Sequence, residues 1–170
     1  MADTEFRIEL VQQQDYCFEA RFDNPALPAL VTDEPAPLGR DAGPNPARLL
    51  GTAVANCLAA SLLFSLRKFR NAVEPLRAVA TVSVVRNAQN RLRIGRIGVD
   101  LHLEGVASDI RSLDRVLGQF EDFCIVTQSV RAGVAVDVRV IDLDGKVLTT
   151  SDAVHEAHPA PARTAVASST

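Results

Sequence analysis

The sequence has no C-x-x-C pair, no basic excess, no secretory start and only one long hydrophobic run. Its three cysteines, Cys17, Cys57 and Cys124, are an odd number at wide spacing. The three histidines, His102, His155 and His158, do not fall beside them in a zinc-ligand pattern. This argues against a structural zinc site and against a disulfide framework. A net charge of −3 and a pI near 5.6 supply no electrostatic footprint for nucleic acid or an anionic membrane. The opening MADTEF has neither a basic start nor an apolar stretch, so no secretion signal is expected and a cytoplasmic location with reduced thiols follows. No G-x-S-x-G, G-x-x-x-x-G-K-[ST] or H-E-x-x-H occurs, which removes the commonest hydrolase, nucleotide and zinc-protease signatures.

What is present is globular. With 170 residues, 47% hydrophobic, 23% charged and a mean hydropathy of +0.08, the chain suits one ordinary domain. Residues 1–150 are read as that domain, and 151–170, rich in Ala, Pro, Ser and Thr without periodicity, as a disordered tail. Alternation predicts strands over Glu5–Gln13 and Tyr16–Asp23, with a hairpin link at Gln14-Asp15 and a short strand at Leu30–Thr32. A Pro-, Gly- and Asp-rich loop then ends in Asn45-Pro46, an N-cap followed by a first-turn proline, so a helix begins there.

That helix, Pro46 to about Arg70, carries no charge over the 18 residues from Leu49 to Leu66. Eighteen is the lower edge of a membrane span. Gly51, Thr52, Asn56, Ser61 and Ser65 within it, and the lack of a second span, favour a buried central helix without membrane insertion. Strands are predicted over Leu76–Arg86 and Arg91–Leu103, with a bulge where the apolar phase changes beside Gly95 and Gly98. Next come a helix from Ser108 or Asp109 to about Asp122, a strand over Val134–Ile141, a DLDG turn and a last strand over Lys146–Thr149. The order defines an α+β domain with an antiparallel sheet around the long helix. A helix apolar nearly all round needs cover on every side, which one small sheet does not provide, so a partner chain is expected.

Cys57 lies on the long helix among Leu50, Ala53, Val54, Ala60, Ser61 and Phe64. From the residues alone it is either a small apolar filler or a reactive thiol. An apolar site raises a thiol's pKa, so the second reading requires a nearby Arg or Lys. Cys124 allows the same two readings, and Cys17, on a face with Glu19 and Arg21, is incidental. Lowering a thiol pKa from about 8.5 to about 6 takes roughly 3.4 kcal/mol, which a partly buried Arg at hydrogen-bond distance supplies and a screened one does not.

Two stretches resemble the OsmC/Ohr family, the osmotically inducible and organic hydroperoxide resistance proteins. One is Asp33 to Leu63, where Gly43-Pro44-Asn45-Pro46 leads into a long helix bearing Cys57. The other is Phe120 to Val130, whose Cys124-Ile125-Val126 resembles the family's Cys-Pro-Val segment. The resemblance implies an intertwined homodimer with two long helices wrapped by sheets, and thiol-dependent peroxidase chemistry on organic hydroperoxides. Cys57 would be the peroxidatic thiol, oxidised to a sulfenic acid, and Cys124 the resolving thiol. A dithiol reductant, lipoyl-type by the resemblance, would reopen the disulfide, with no cofactor or metal. Family peroxidases carry a Glu nine or ten residues before the cysteine; Arg48 and Ala47 stand there. Arg48 lies about 13 Å from Cys57 along the helix axis. For the arginine that the resemblance implies at the site, the first candidate is Arg40, in the loop before the helix, and the second Arg21, on the N-terminal hairpin. The alternative is a non-catalytic dimer of the same type that binds a small apolar ligand.

Overall fold

A computed structural model describes residues 4–152. Strands β1 (Ile8–Gln14), β2 (Cys17–Phe22) and β3 (Leu30–Thr32) form an antiparallel sheet in the order β1-β2-β3. The β1–β2 turn falls at Asp15-Tyr16, one residue later than predicted; Asp15, at φ 49°, takes the left-handed position there. Helix α1 spans Pro46–Lys68, as Asn45-Pro46 predicts: the Asn45 side chain accepts from the Arg48 N–H at 3.0 Å. Arg67 and Lys68 sit in its last turn, where cations complement the helix dipole.

A second sheet follows, ordered β4-β5-β6-β7, from β4 (Arg77–Arg86), β5 (Leu92–His102), β6 (Ala135–Ile141) and β7 (Val147–Ser151). Ser151 thus belongs to a strand rather than to the expected tail; 153–170, with His155 and His158, lie outside the described residues. The β4–β5 hairpin closes through Asn87, whose Oδ1 accepts from the N–H groups of Gln89 and Arg91, both at 3.0 Å. The register slips where Ser83 pairs with Arg96 but Val84 with Ile94, leaving Gly95 as the extra residue. The phase change is therefore a bulge at Gly95, while Gly98 pairs regularly with Thr81. Below it Ile97, Val99, Leu101 and Leu103 all point into the core.

Two expectations about this half need correction. The sheet is not wholly antiparallel: β5 and β6 run parallel. A parallel pair cannot be joined by a tight turn, and the chain between them is the crossover that carries Cys124. Nor is the predicted helix over 108–122 continuous. Three short turns replace it: a 3₁₀ turn at Ala107–Asp109, α2 at Leu113–Leu117 and a 3₁₀ turn at Phe120–Phe123; α3 (Ile125–Val130) follows. Ser112 breaks the run at φ 54°, and Ile110, Val116 and Phe120 still reach the core because each turn tips its apolar residue inward.

The core lies between α1, the second sheet and the crossover, with Val54, Leu58, Leu62 and Leu66 of α1 meeting Ile97, Val99, Val136, Val138 and Val140. Gly51 permits the close approach to the sheet, since a Cβ there would stand 2.5 Å from Val82 Cγ2. The α1 run is long and apolar enough to cross a membrane, yet Val54, Leu58, Leu62 and Leu66 are packed in the core. Within the single chain its burial is one-sided: Ala53, Asn56, Ala60 and Phe64 are exposed.

Candidate active site

Cys57 projects from the middle of α1 and is half-buried at the core's margin. Cys124 is fully buried at the start of α3, where the crossover turns back under α1. Its backbone is held from both sides: its N–H donates to the Glu121 carbonyl at 3.0 Å, and its own carbonyl accepts from the Gln128 N–H at 3.0 Å. Cys57 is near enough to act on the Cys124 thiol, and both sulfurs are free thiols. Cysteines 67 positions apart in sequence are thus neighbours in space.

Burial pushes the Cys124 thiol up from its ordinary pKa, and the hydrogen bond with Cys57 pushes in the same direction. The Thr127 hydroxyl and backbone N–H pull the other way. The upward push from burial and from Cys57 favours the state in which Cys124 keeps its proton. Beside the pair, Phe64 and Phe123 stack edge to face at 6.2 Å between centroids. Both rings are more than half exposed, and Ile125 next to Cys124 is 79% exposed. An apolar rim therefore stands at the thiols, and Lys68 closes its far end over the Phe123 ring at 6.0 Å.

The arginines stand elsewhere. Arg21 pairs with Glu19 at 2.7 Å on β2. Arg40 reaches Asp15 at 3.8 Å and lines a pocket of about 220 Å³ with Cys17, Asp33 and Gly39. Arg48, at the head of α1, is engaged by Asp41 at 2.5 Å. Among the described residues no hydrogen bond or ion pair joins an arginine of this chain to Cys57. The loop presenting Arg40 is built around Asp33, whose carboxylate accepts from the N–H groups of Arg40, Ala42 and Glu34 at 2.9, 3.1 and 2.9 Å. These bonds, those from Arg40 and Ala42 foremost, hold the Asp33 carboxyl below the usual carboxylate range. Gly39 is required there, because a Cβ would stand 2.2 Å from both Asp33 Oδ1 and the Glu34 carbonyl.

The structure also shows residues that the sequence reading passed over. Thr127 is fully buried with its Oγ1 2.9 Å from Cys124 Sγ. Its spacing of three from Cys124, one helical turn, was the available signal. Among the described residues no three His, Cys, Asp or Glu side chains gather as a metal site would require.

The family model for OsmC-like proteins matches residues 39–139, more than half of the chain, and the chain belongs to that family. It is similar to a solved OsmC-like protein of unknown function from Vibrio cholerae, at 15% identity and TM-score 0.68, covering 82% of this chain and 100% of that one. It is also similar to the organic hydroperoxide resistance protein OhrB of Bacillus subtilis, at 14% identity and TM-score 0.60, covering 81% and 98%. A third relative in structure is an organic hydroperoxide resistance protein from Vibrio cholerae with captopril in one of its active sites, at 18% identity and TM-score 0.62, covering 86% and 96%. No curated protein matches the chain.

Proposed function

We propose that this chain is a thiol-dependent peroxidase that reduces organic hydroperoxides. The observation that carries the reading is the Cys57–Cys124 pair: two free thiols within reach of each other, at an apolar rim, in a fold shared with organic hydroperoxide resistance proteins. The Cys57 sulfur attacks the terminal peroxide oxygen. The O–O bond breaks, the alkoxide leaves and takes a proton, and Cys57 becomes a sulfenic acid. Cys124 then attacks that sulfur, forming the disulfide and releasing water. A dithiol reductant, of the lipoyl type by family resemblance, restores both thiols by exchange.

The reading includes a cytoplasmic homodimer, for a physical reason. The β1–β3 sheet leaves Phe6, Ile8 and Leu10 exposed, and β4 presents an edge ten residues long with Val79, Val84 and Val85 exposed. An uncovered apolar edge of that length is a pairing surface. The exposed stripe of α1 beside Cys57 is equally without a cover in a single chain. A second copy supplies both covers, and with them an arginine. Arg40 is the better candidate than Arg21, because its hold on Asp15 at 3.8 Å is looser than the Arg21–Glu19 bond at 2.7 Å.

One observation favours a second reading, a non-catalytic dimer binding a small apolar ligand: Ala47 and Arg48 replace the family's Glu, and Arg48 is already committed to Asp41. The two separate cleanly. Purified protein with an organic hydroperoxide and dihydrolipoamide is expected to consume peroxide, and Cys57→Ser to abolish it. Wild-type protein that forms no Cys57 sulfenate but binds apolar ligands establishes the second reading.

A further inference from the structure

Burying a hydroxyl without a partner is unfavourable, so a fully buried threonine side chain is a placed one. The hydroxyl of Thr127 has a single side-chain partner among the described residues, the Cys124 sulfur at 2.9 Å. Valine would fill the same volume without any polar atom to satisfy. We propose that Thr127 is the positioning residue of the resolution step: its hydroxyl aims the Cys124 sulfur at Cys57 and donates to that sulfur as it turns into the attacking thiolate. This deepens the peroxidase reading and rests on it.

The hydroxyl suits both states of the sulfur because it accepts or donates by rotation. While Cys124 is protonated, its S–H donates to Thr127 Oγ1. Burial pushes the Cys124 thiol up and Thr127 pulls it down, and Thr127 stays in place when Cys57 is oxidised. In the step itself the Cys124 proton leaves, the S–S bond forms as the S–O bond of the sulfenic acid breaks, and the departing hydroxide takes up a proton to become water.

Other charges near this segment are turned away from the sulfur. Glu121 and Arg131 pair with each other, Arg131 Nη2 also donates to Ser151 Oγ at 3.2 Å, and Lys68 of α1 reaches Gln119 and the Phe123 ring. Among the described residues the ionisable group that acts on Cys124 is Cys57.

Two measurements test the assignment. In the first, reduced protein carrying Cys17→Ser reacts with one equivalent of cumene hydroperoxide, and dimedone trapping and disulfide formation are followed separately. With Thr127→Val the loss is expected in the second event, slowed roughly tenfold, as for one lost hydrogen bond to a charged group. Its pH midpoint moves up by about one unit, and Thr127→Ser restores both. A disulfide that forms in Thr127→Val at the parent rate and with the parent pH profile overturns the proposal. In the second, Cys124 is titrated by thiolate absorbance in a Cys17→Ser, Cys57→Ser background, without peroxide. A midpoint raised by Thr127→Val and recovered by Thr127→Ser supports the hold on the thiolate; coincident curves overturn it. A shifted titration in protein that never forms a sulfenate refutes the peroxidase reading alone.

Discussion

The two sheets of this chain are built on different terms. The β4–β7 sheet has α1 and the crossover packed on it, and Ile97, Val99, Val136, Val138 and Val140 are sealed between them. The β1–β3 sheet has comparable apolar residues in Ile8 and Leu10, but they lie 55% and 59% exposed. The thiols belong to the first region and both candidate arginines to the second. The difference teaches that the core closes within one chain, whereas among the described residues no arginine is hydrogen-bonded to or paired with Cys57, the cation that the proposed chemistry calls for.

The comparison is open to direct attack. The largest effect is expected from Cys57→Ser, which should lower peroxide consumption at least a hundredfold, since the nucleophile is gone. Next comes Arg40→Ala, expected to cost on the order of tenfold to a hundredfold in peroxide consumption, with Arg21→Ala close to wild type because Glu19 already holds that side chain. Equal losses from both would erase the ranking of the two arginines. Third, Leu58→Ala should lower stability by about 2–5 kcal/mol in urea unfolding, as for any fully buried leucine. Leu10→Ala in a lone chain should cost no more than about 0.5 kcal/mol. A cost at Leu10 near that at Leu58, together with weaker self-association, would show that a second copy covers the first sheet.

Acid offers a gentler probe. The Asp33 carboxyl is depressed by the backbone N–H groups of Arg40 and Ala42, so the folded loop favours the charged form. Its contribution is fully present above the unfolded carboxylate range and is lost as pH falls through the depressed value. Amide exchange in residues 33–42 should therefore accelerate below about pH 4, and Asp33→Asn should remove that dependence. The smallest effect is assigned to Cys17→Ser, which should leave peroxide consumption within about twofold of wild type, because that thiol sits apart from the pair.

Local chemistry made much of this legible in advance. Asn45-Pro46 marked the start of α1 because an N-cap and a first-turn proline act within one turn. The switch of apolar phase marked the Gly95 bulge because one inserted residue reverses a strand's faces. The crossover was misread for an equally physical reason. Ile110, Leu113, Val116, Leu117 and Phe120 fit helical spacing, but a left-handed Ser112 breaks the run, and each short turn buries its apolar residue separately. The parallel β5–β6 pairing and the meeting of Cys57 with Cys124 were not legible from spacing, since both depend on contacts between distant segments. For Thr127 the sole signal is its spacing of three from Cys124, which means something only once that stretch is known to be helical.

The parallel pairing of β5 with β6 has a consequence for when the sulfurs first meet. Long-range closure of this kind is slow compared with hairpin formation, because the loop entropy is lost before any bond is gained. Cys124 rides on the segment that must be drawn across before β6 docks. Cys57 and Cys124 stand 67 residues apart, so the connection that allows β5 and β6 to run parallel is also the segment that brings the second thiol under α1.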